Sequence, residues 1–162
     1  MKPEDIKKVV VIGTGMMGPG IAYSLASVGR DVIIWGRNSQ SMEKGLKACR
    51  DIVRTLVAEQ IVPETTGAEA MARIKGSTDL DLAVSEADLI TESIVEDVEV
   101  KKQLFVRIEN FCPSHALLTS NTSGLPATQI ASKLQKPDRF AVTHFWNPPH
   151  LMPLVDVVKG EK

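Results

Sequence analysis

The segment Gly13-Thr14-Gly15-Met16-Met17-Gly18 constrains this chain more than any other. It follows the run Lys7-Lys8-Val9-Val10-Val11-Ile12 and precedes a stretch in which Ile21, Leu25 and Val28 recur at i, i+4 and i+7. A β-branched run entered from charge and closed by glycine suits a strand buried on both faces. The recurrence suits a helix with one apolar stripe, ended by Gly29. Asp31-Val32-Ile33-Ile34-Trp35 then resumes as a second strand. Strand, glycine turn, helix and strand in about thirty residues is the length of a βαβ unit. In that setting the three glycines of G-x-G-x-x-G serve different ends. Gly13 permits the tight turn, Gly15 admits a pyrophosphate to the backbone, and Gly18 lets the helix lie close on the strand. The turn, Met16 and Met17 included, reads as a dinucleotide-binding site at a helix N-terminus.

Residues 39–60 carry helix formers with apolar positions at Met42, Leu46, Cys49, Ile52, Val53 and Leu56, a helix longer than the first crossover. Pro63 opens a shorter one through Met71. Strands are expected over residues 74–78, 88–93, 116–120, 140–145 and 154–158, and a helix over 98–111. The expectation is one domain, residues 1–162, of α/β class. Its architecture is Rossmann-type and doubly wound: a mainly parallel sheet, flanking helices, and a long helical excursion after the second strand.

Composition excludes several roles. The 19 basic and 20 acidic residues are mixed along the chain, with no Lys/Arg block to track a phosphate backbone, so nucleic acid is not an expected partner. The two cysteines, Cys49 and Cys112, have no CxxC spacing, which argues against a zinc site or disulfide framework. The apolar runs fall well short of the ~20 residues that span a bilayer. A cytoplasmic protein that does not engage membranes or hold a metal is expected.

The carboxylate that usually holds the ribose hydroxyls belongs at the end of the second strand. Here that place is Gly36, followed by Arg37 and Asn38. Without an acid to repel a 2′-phosphate, and with a guanidinium able to grip one, the cofactor expectation is NAD or NADP with a lean toward NADP. Arg37 stacked on the adenine or free in solvent is the bland alternative. Further along, His144 ends one strand and Asp156 lies in the next, with Asn147-Pro148-Pro149 and Pro153 between. A return of the chain there brings imidazole and carboxylate face to face, a pairing that orients a general base. Taken alone, a histidine near a strand end is more often structural.

Four segments resemble one family: GTGMMGPGIA at 13–22, ESIVEDVEVKKQLF at 92–105, SNTSGL at 120–125 and HFWNPPHLMPLVDVV at 144–158. Together they resemble the 3-hydroxyacyl-CoA dehydrogenases of fatty acid metabolism, over essentially the whole chain from Lys7. The resemblance implies an oxidoreductase that passes hydride between the 3-hydroxyl carbon of a 3-hydroxyacyl-CoA and NAD(P). It implies His144 as base, Asp156 in place of the partner glutamate and one methylene shorter, Ser123 on the substrate oxygen, and Asn147 near the nicotinamide. It also implies cofactor contacts from Glu96 and Lys101. Read without it, Ser123 and Asn147 are turn formers, and Glu96 with Lys101 is a solvated charge pair at a helix start.

The family grips CoA partly through a serine and a lysine on the long helix, and those positions here are Cys49 and about Leu56. Arg50 and Arg54 stand close enough to supply charge instead, or they decorate an exposed face. Dehydrogenases of free hydroxy acids, such as those of L-carnitine and L-gulonate, share a similar HxxNPP-type segment and form an alternative. A dinucleotide-sensing module without chemistry is another, against which His144, Asp156 and Ser123 argue together. Family members continue into an all-helical domain that closes over the substrate and forms the dimer. None is encoded in these 162 residues. The expectation is a cofactor-binding domain with little turnover alone and an exposed apolar docking face, whose longer form is a homodimer.

Overall fold

The computed structural model describes residues 2–161. Its elements run β1 (Lys8–Ile12), α1 (Gly18–Ser27), β2 (Asp31–Trp35), α2 (Ser39–Ala58), α3 (Glu64–Ala72), β3 (Ile74–Ser77), α4 (Leu80–Val84), β4 (Leu89–Glu92), α5 (Val98–Phe111), β5 (Leu117–Ser120), α6 (Ala127–Ile130), β6 (Phe140–Phe145) and β7 (Val155–Lys159). The seven strands form one sheet in the order β3-β2-β1-β4-β5-β6-β7. The first six are parallel, and β7 turns back antiparallel to β6. This is the doubly wound Rossmann arrangement, whose order reverses between β1 and β4 and opens a crevice beyond their carboxyl ends.

Alternation along β1 shows why its run is apolar throughout. Val10 and Ile12 enter a core with Leu80, Val84, Phe105, Ile108 and Ile130, while Val9 and Val11 enter another with Ile21, Cys49, Leu56 and Ala70. Residues one apart on a strand face opposite sides, so both faces are covered, by α4–α6 on one side and α1–α3 on the other. Phe105 meets Phe140 edge to face at 4.9 Å between ring centroids, a geometry that the ring quadrupoles favour.

Two expectations change. Val28 is not on the buried stripe of α1: it is the C-cap, 66% exposed, because the helix ends at Ser27. The buried face runs through Ile21, Ala22 and Ala26 instead. The short helices α4 and α6, of five and four residues, are not among the expected elements, since so few residues carry no readable helical period.

All five residues of β7 are exposed, as are Leu151, Met152 and Leu154 before it. An apolar face is therefore open along this edge of the sheet. Among the described residues no helix is long and apolar enough to cross a membrane.

Candidate functional site

The site is built on the carboxyl ends of the strands. Gly13 leaves β1 at φ +119°, and its amide donates to the Trp35 carbonyl at 3.1 Å, which ties the turn to the end of β2. A side chain at Gly13 would run into the carbonyl of Ser93, and one at Gly18 into the carbonyl of Gly13. Both glycines are thus required by close backbone approach. Gly15 differs: it is exposed and has open space where a side chain would stand. Asn38, Asp79 and Asp97 cap α2, α4 and α5 with their side chains, whereas no side chain caps α1. The first amides of α1 therefore stay available to an anion, where the helix dipole also favours one.

A cleft of about 640 Å³ lies at this turn, walled by Gly13 to Met17, Trp35, Gly36, Arg37, Ser41, Ser93, Ile94, Val95 and Val100. A hollow of about 510 Å³ lies toward the amino ends of β1–β3, against Lys8, Asp31, Arg73 and Glu86. No glycine turn opens into it, so the cleft at the switch point is the better ligand site. The fit to a dinucleotide rests on the uncapped helix, the space at Gly15 and the walls of this cleft.

At the end of β2, Gly36 is buried because α2 starts directly over it: a Cβ there would lie 2.5 Å from the Met42 amide nitrogen. Asn38 is engaged as the α2 cap, accepting the Ser41 amide at 2.8 Å. Arg37 is exposed at the cleft wall and makes no hydrogen bond or ion pair among the described residues.

Beside the turn, the ends of β4 and β5 hold a buried polar cluster. Glu92 is 0% exposed and Lys101 1%. Glu92 accepts from the Lys101 ammonium at 2.5 Å, the Ile94 amide at 2.6 Å and the Ser120 hydroxyl at 2.6 Å. Lys101 also lies 3.5 Å from Glu96, and the Thr122 hydroxyl donates to Glu96. Burial works to raise the Glu96 carboxyl pKa, but Thr122, Lys101 and the Gly124 amide together hold it below the usual range. Lys101 and Glu96 are therefore not a solvated pair. Lys101 is locked in the interior, and Glu96 alone of the two reaches the surface, with a side chain 46% exposed.

His144 and Asp156 are direct register partners across β6 and β7. Nδ1 of the imidazole lies 3.3 Å from Oδ2 of Asp156, with side chains 27% and 49% exposed. Trp146 donates its indole N–H to the same Oδ2 at 2.9 Å. That bond comes first, and the His144 bond second, in holding the Asp156 carboxyl below its usual range. Asn147 reaches back to Met16 of the glycine turn, 3.7 Å from amide nitrogen to sulfur. The loop that follows His144 thus touches the glycine turn. Ser123 is exposed on the β5–α6 loop and makes no hydrogen bond among the described residues.

Three residues escaped the sequence reading: Glu92, Trp146 and Asn121, whose carbonyl oxygen accepts the Phe145 amide at 2.8 Å and so joins the β5 loop to the strand of His144. Glu92 left a signal of its own, as an acid that closes the strand Leu89-Ile90-Thr91. On α2, Cys49 and Leu56 are 0% and 2% exposed, and burial pushes the Cys49 thiol up to about 12. Arg54 pairs with Asp51 at 3.0 Å on the surface.

A family model described as 3-hydroxyacyl-CoA dehydrogenase, NAD binding domain, matches residues 8–162. The chain is similar to a peroxisomal fatty acid beta-oxidation multifunctional protein of Arabidopsis thaliana, with 34% identity over 99% of this chain and 22% of that protein. It is similar to the mitochondrial hydroxyacyl-coenzyme A dehydrogenase of Sus scrofa, with 36% identity over 95% of this chain and 51% of that one. The crystal structure of (S)-3-hydroxybutyryl-CoA dehydrogenase from Ralstonia eutropha superposes with a TM-score of 0.91 and 31% identity, over 96% of this chain and 55% of that one. The chain thus spans from about a fifth to about half of the length of these relatives.

Gly15 and Gly18 separate binding from folding. Gly15→Ala should leave the thermal midpoint unchanged yet weaken NADH binding roughly tenfold or more, because its methyl group intrudes on the phosphate path. Gly18→Ala should lower stability by about 1–3 kcal/mol as well, since the turn itself must shift. Thermal melts and fluorescence titrations of both variants test this, and equal effects on stability would contradict it.

Proposed function

Since this chain belongs to the 3-hydroxyacyl-CoA dehydrogenase family as an NAD-binding domain, we propose that it carries the cofactor and the base for oxidation of a 3-hydroxyacyl-CoA to the 3-keto compound. The observation that carries this reading is the His144–Asp156 register pair standing beside the glycine turn. Nicotinamide, when bound, supplies the hydride acceptor. His144 takes the hydroxyl proton on Nε2, while Nδ1–H faces Asp156, which fixes the tautomer and stabilises the imidazolium. Ser123 offers its free hydroxyl to the substrate oxygen, and Asn147 holds the nicotinamide side of the cleft. The amides of residues 15–18 receive the pyrophosphate. Glu96 faces the ribose, and Lys101 acts from beneath by neutralising it. Leu151 and Met152, with Val155 and Val157 on one side of β7, all exposed, form the face on which a further helical domain and, through it, a second subunit would dock.

The finer cofactor reading is that the site accepts NADP. No acid stands at the end of β2, and Arg37 is unengaged at the cleft wall. Arg37→Ala should then weaken NADPH binding roughly tenfold and leave NADH binding unchanged, as parallel calorimetric titrations would show. Equal losses for both cofactors would mean that Arg37 only stacks on the adenine.

One observation favours a second reading, a dehydrogenase of a free hydroxy acid. Cys49 and Leu56, at the family's CoA-gripping positions, are buried and can touch no ligand, which leaves the exposed Arg50 as the nearby charge. Isotope transfer separates these readings. With 3-hydroxybutyryl-CoA deuterated at C3 and oxidised cofactor, the chain should place deuterium on nicotinamide slowly, and His144→Gln should lower that rate by about 10²–10⁴-fold with cofactor affinity intact. Transfer from free 3-hydroxybutyrate at the same rate would favour the second reading, and loss of cofactor binding in His144→Gln would favour a sensor.

A further inference from the structure

Asp156 receives two donors on one oxygen, and the closer is not the histidine: Trp146 Nε1 lies at 2.9 Å and His144 Nδ1 at 3.3 Å from Oδ2. We propose that Trp146 is a positioning residue for the dyad, its indole N–H holding the short Asp156 side chain turned toward the imidazole. This rests on the reading of His144 as the base.

The geometry of the strand end makes the arrangement possible. The Trp146 amide donates to the Leu154 carbonyl at 3.3 Å, so the β6–β7 ladder continues one step beyond Phe145. Residues two apart on a strand share a face. His144 and Trp146 therefore project together, with ring centroids 5.9 Å apart at 48°. Asp156, opposite His144 in register, lies within reach of both.

Exposure makes a clamp necessary. Asp156 sits on an edge strand whose residues are all exposed, and its side chain is 49% open to water. An exposed ion pair gains little over hydration of its partners and gives up side-chain freedom to form. A carboxylate so placed would spend much of its time turned to solvent. The indole N–H is a donor only, so it binds the ionised carboxylate, and the large ring leaves few orientations for the oxygen it holds. That Trp146 leads His144 in holding the Asp156 carboxyl below its usual range agrees with this division of labour. Among the described residues no other ionisable group bonds to His144 or Asp156. On the other side of β6, β5 brings Leu118, Thr119 and Ser120 into register, without charge. On β7, Lys159 pairs with Ala141 at the far end of the ladder.

The test is an NMR pH titration of the imidazole Hε1 signals in this chain, whose three histidines are assigned by loss of one signal in His144→Gln. Asp156→Asn sets the midpoint of His144 with no carboxylate. Trp146→Phe keeps an aromatic ring at a residue 45% exposed and removes only the donor, and a thermal melt checks its fold. The His144 midpoint in Trp146→Phe should move part of the way from that of wild type to that of Asp156→Asn. A midpoint in Trp146→Phe equal to or above wild type, with Asp156→Asn lower, overturns the inference and leaves the dyad standing. An unchanged midpoint in Asp156→Asn overturns both the inference and the role of Asp156. The isotope-transfer assay fails or succeeds independently of either result.

Discussion

The Glu92 carboxylate has no access to solvent, and three donors converge on it from three parts of the chain: the Lys101 ammonium on α5, the Ser120 hydroxyl at the end of β5 and the Ile94 amide in its own loop. Taking such a pair out of water costs several kcal/mol per ion, recovered only when the remaining hydrogen bonds are made. Here they are. Breaking one partner would leave a buried charge uncompensated, at a cost of about 3–5 kcal/mol. The cluster therefore fixes where β4 ends, where α5 begins and where the β5 loop departs. Asn121 carries the constraint onward to the Phe145 amide, next to His144. The walls of the cleft and the strand end that carries His144 are tied to one buried polar knot.

Around that knot the sheet divides labour between two kinds of surface. The glycine turn supplies backbone donors that no side chain obstructs, at the one crossover where the strand order reverses. The antiparallel return of β7 sets two side chains of neighbouring strands directly opposite near the end of β6, His144 against Asp156. The Asn147–Met16 contact shows how close these surfaces come. The glycine turn and the His144–Asp156 pair are thus separate in the chain and linked in space by this contact.

Much of this was legible in the sequence because it depends on local pattern. Six of the seven strands follow from apolar runs and their boundaries, while β3 holds one apolar residue, Ile74, and the turn follows from three glycines between a strand and a helix. The His144–Asp156 juxtaposition follows from a short proline-rich return, which leaves the chain little choice. What depends on distant packing was not legible. Lys101 falls at i, i+4 and i+7 with Phe105 and Ile108, on the buried stripe of α5, where a lysine contradicts the apolar pattern, and only the three-dimensional position of Glu92 gives its ammonium a partner. Trp146 reads as an apolar residue until the register of β7 places Asp156 under its nitrogen. The capping role of Asn38 hides behind a loop residue that local chemistry also allows to face a ligand.

The most direct test of the account is a map of where NADH binds, from amide chemical shifts of the ¹⁵N-labelled chain during titration. Saturable changes should be largest at Gly13 to Gly18, with Gly36, Arg37 and Ser93 to Val95 next, the walls of the switch-point cleft. Changes centred on Asp31, Arg73 and Glu86 at the opposite ends of the strands, or no saturable change at all, would contradict it.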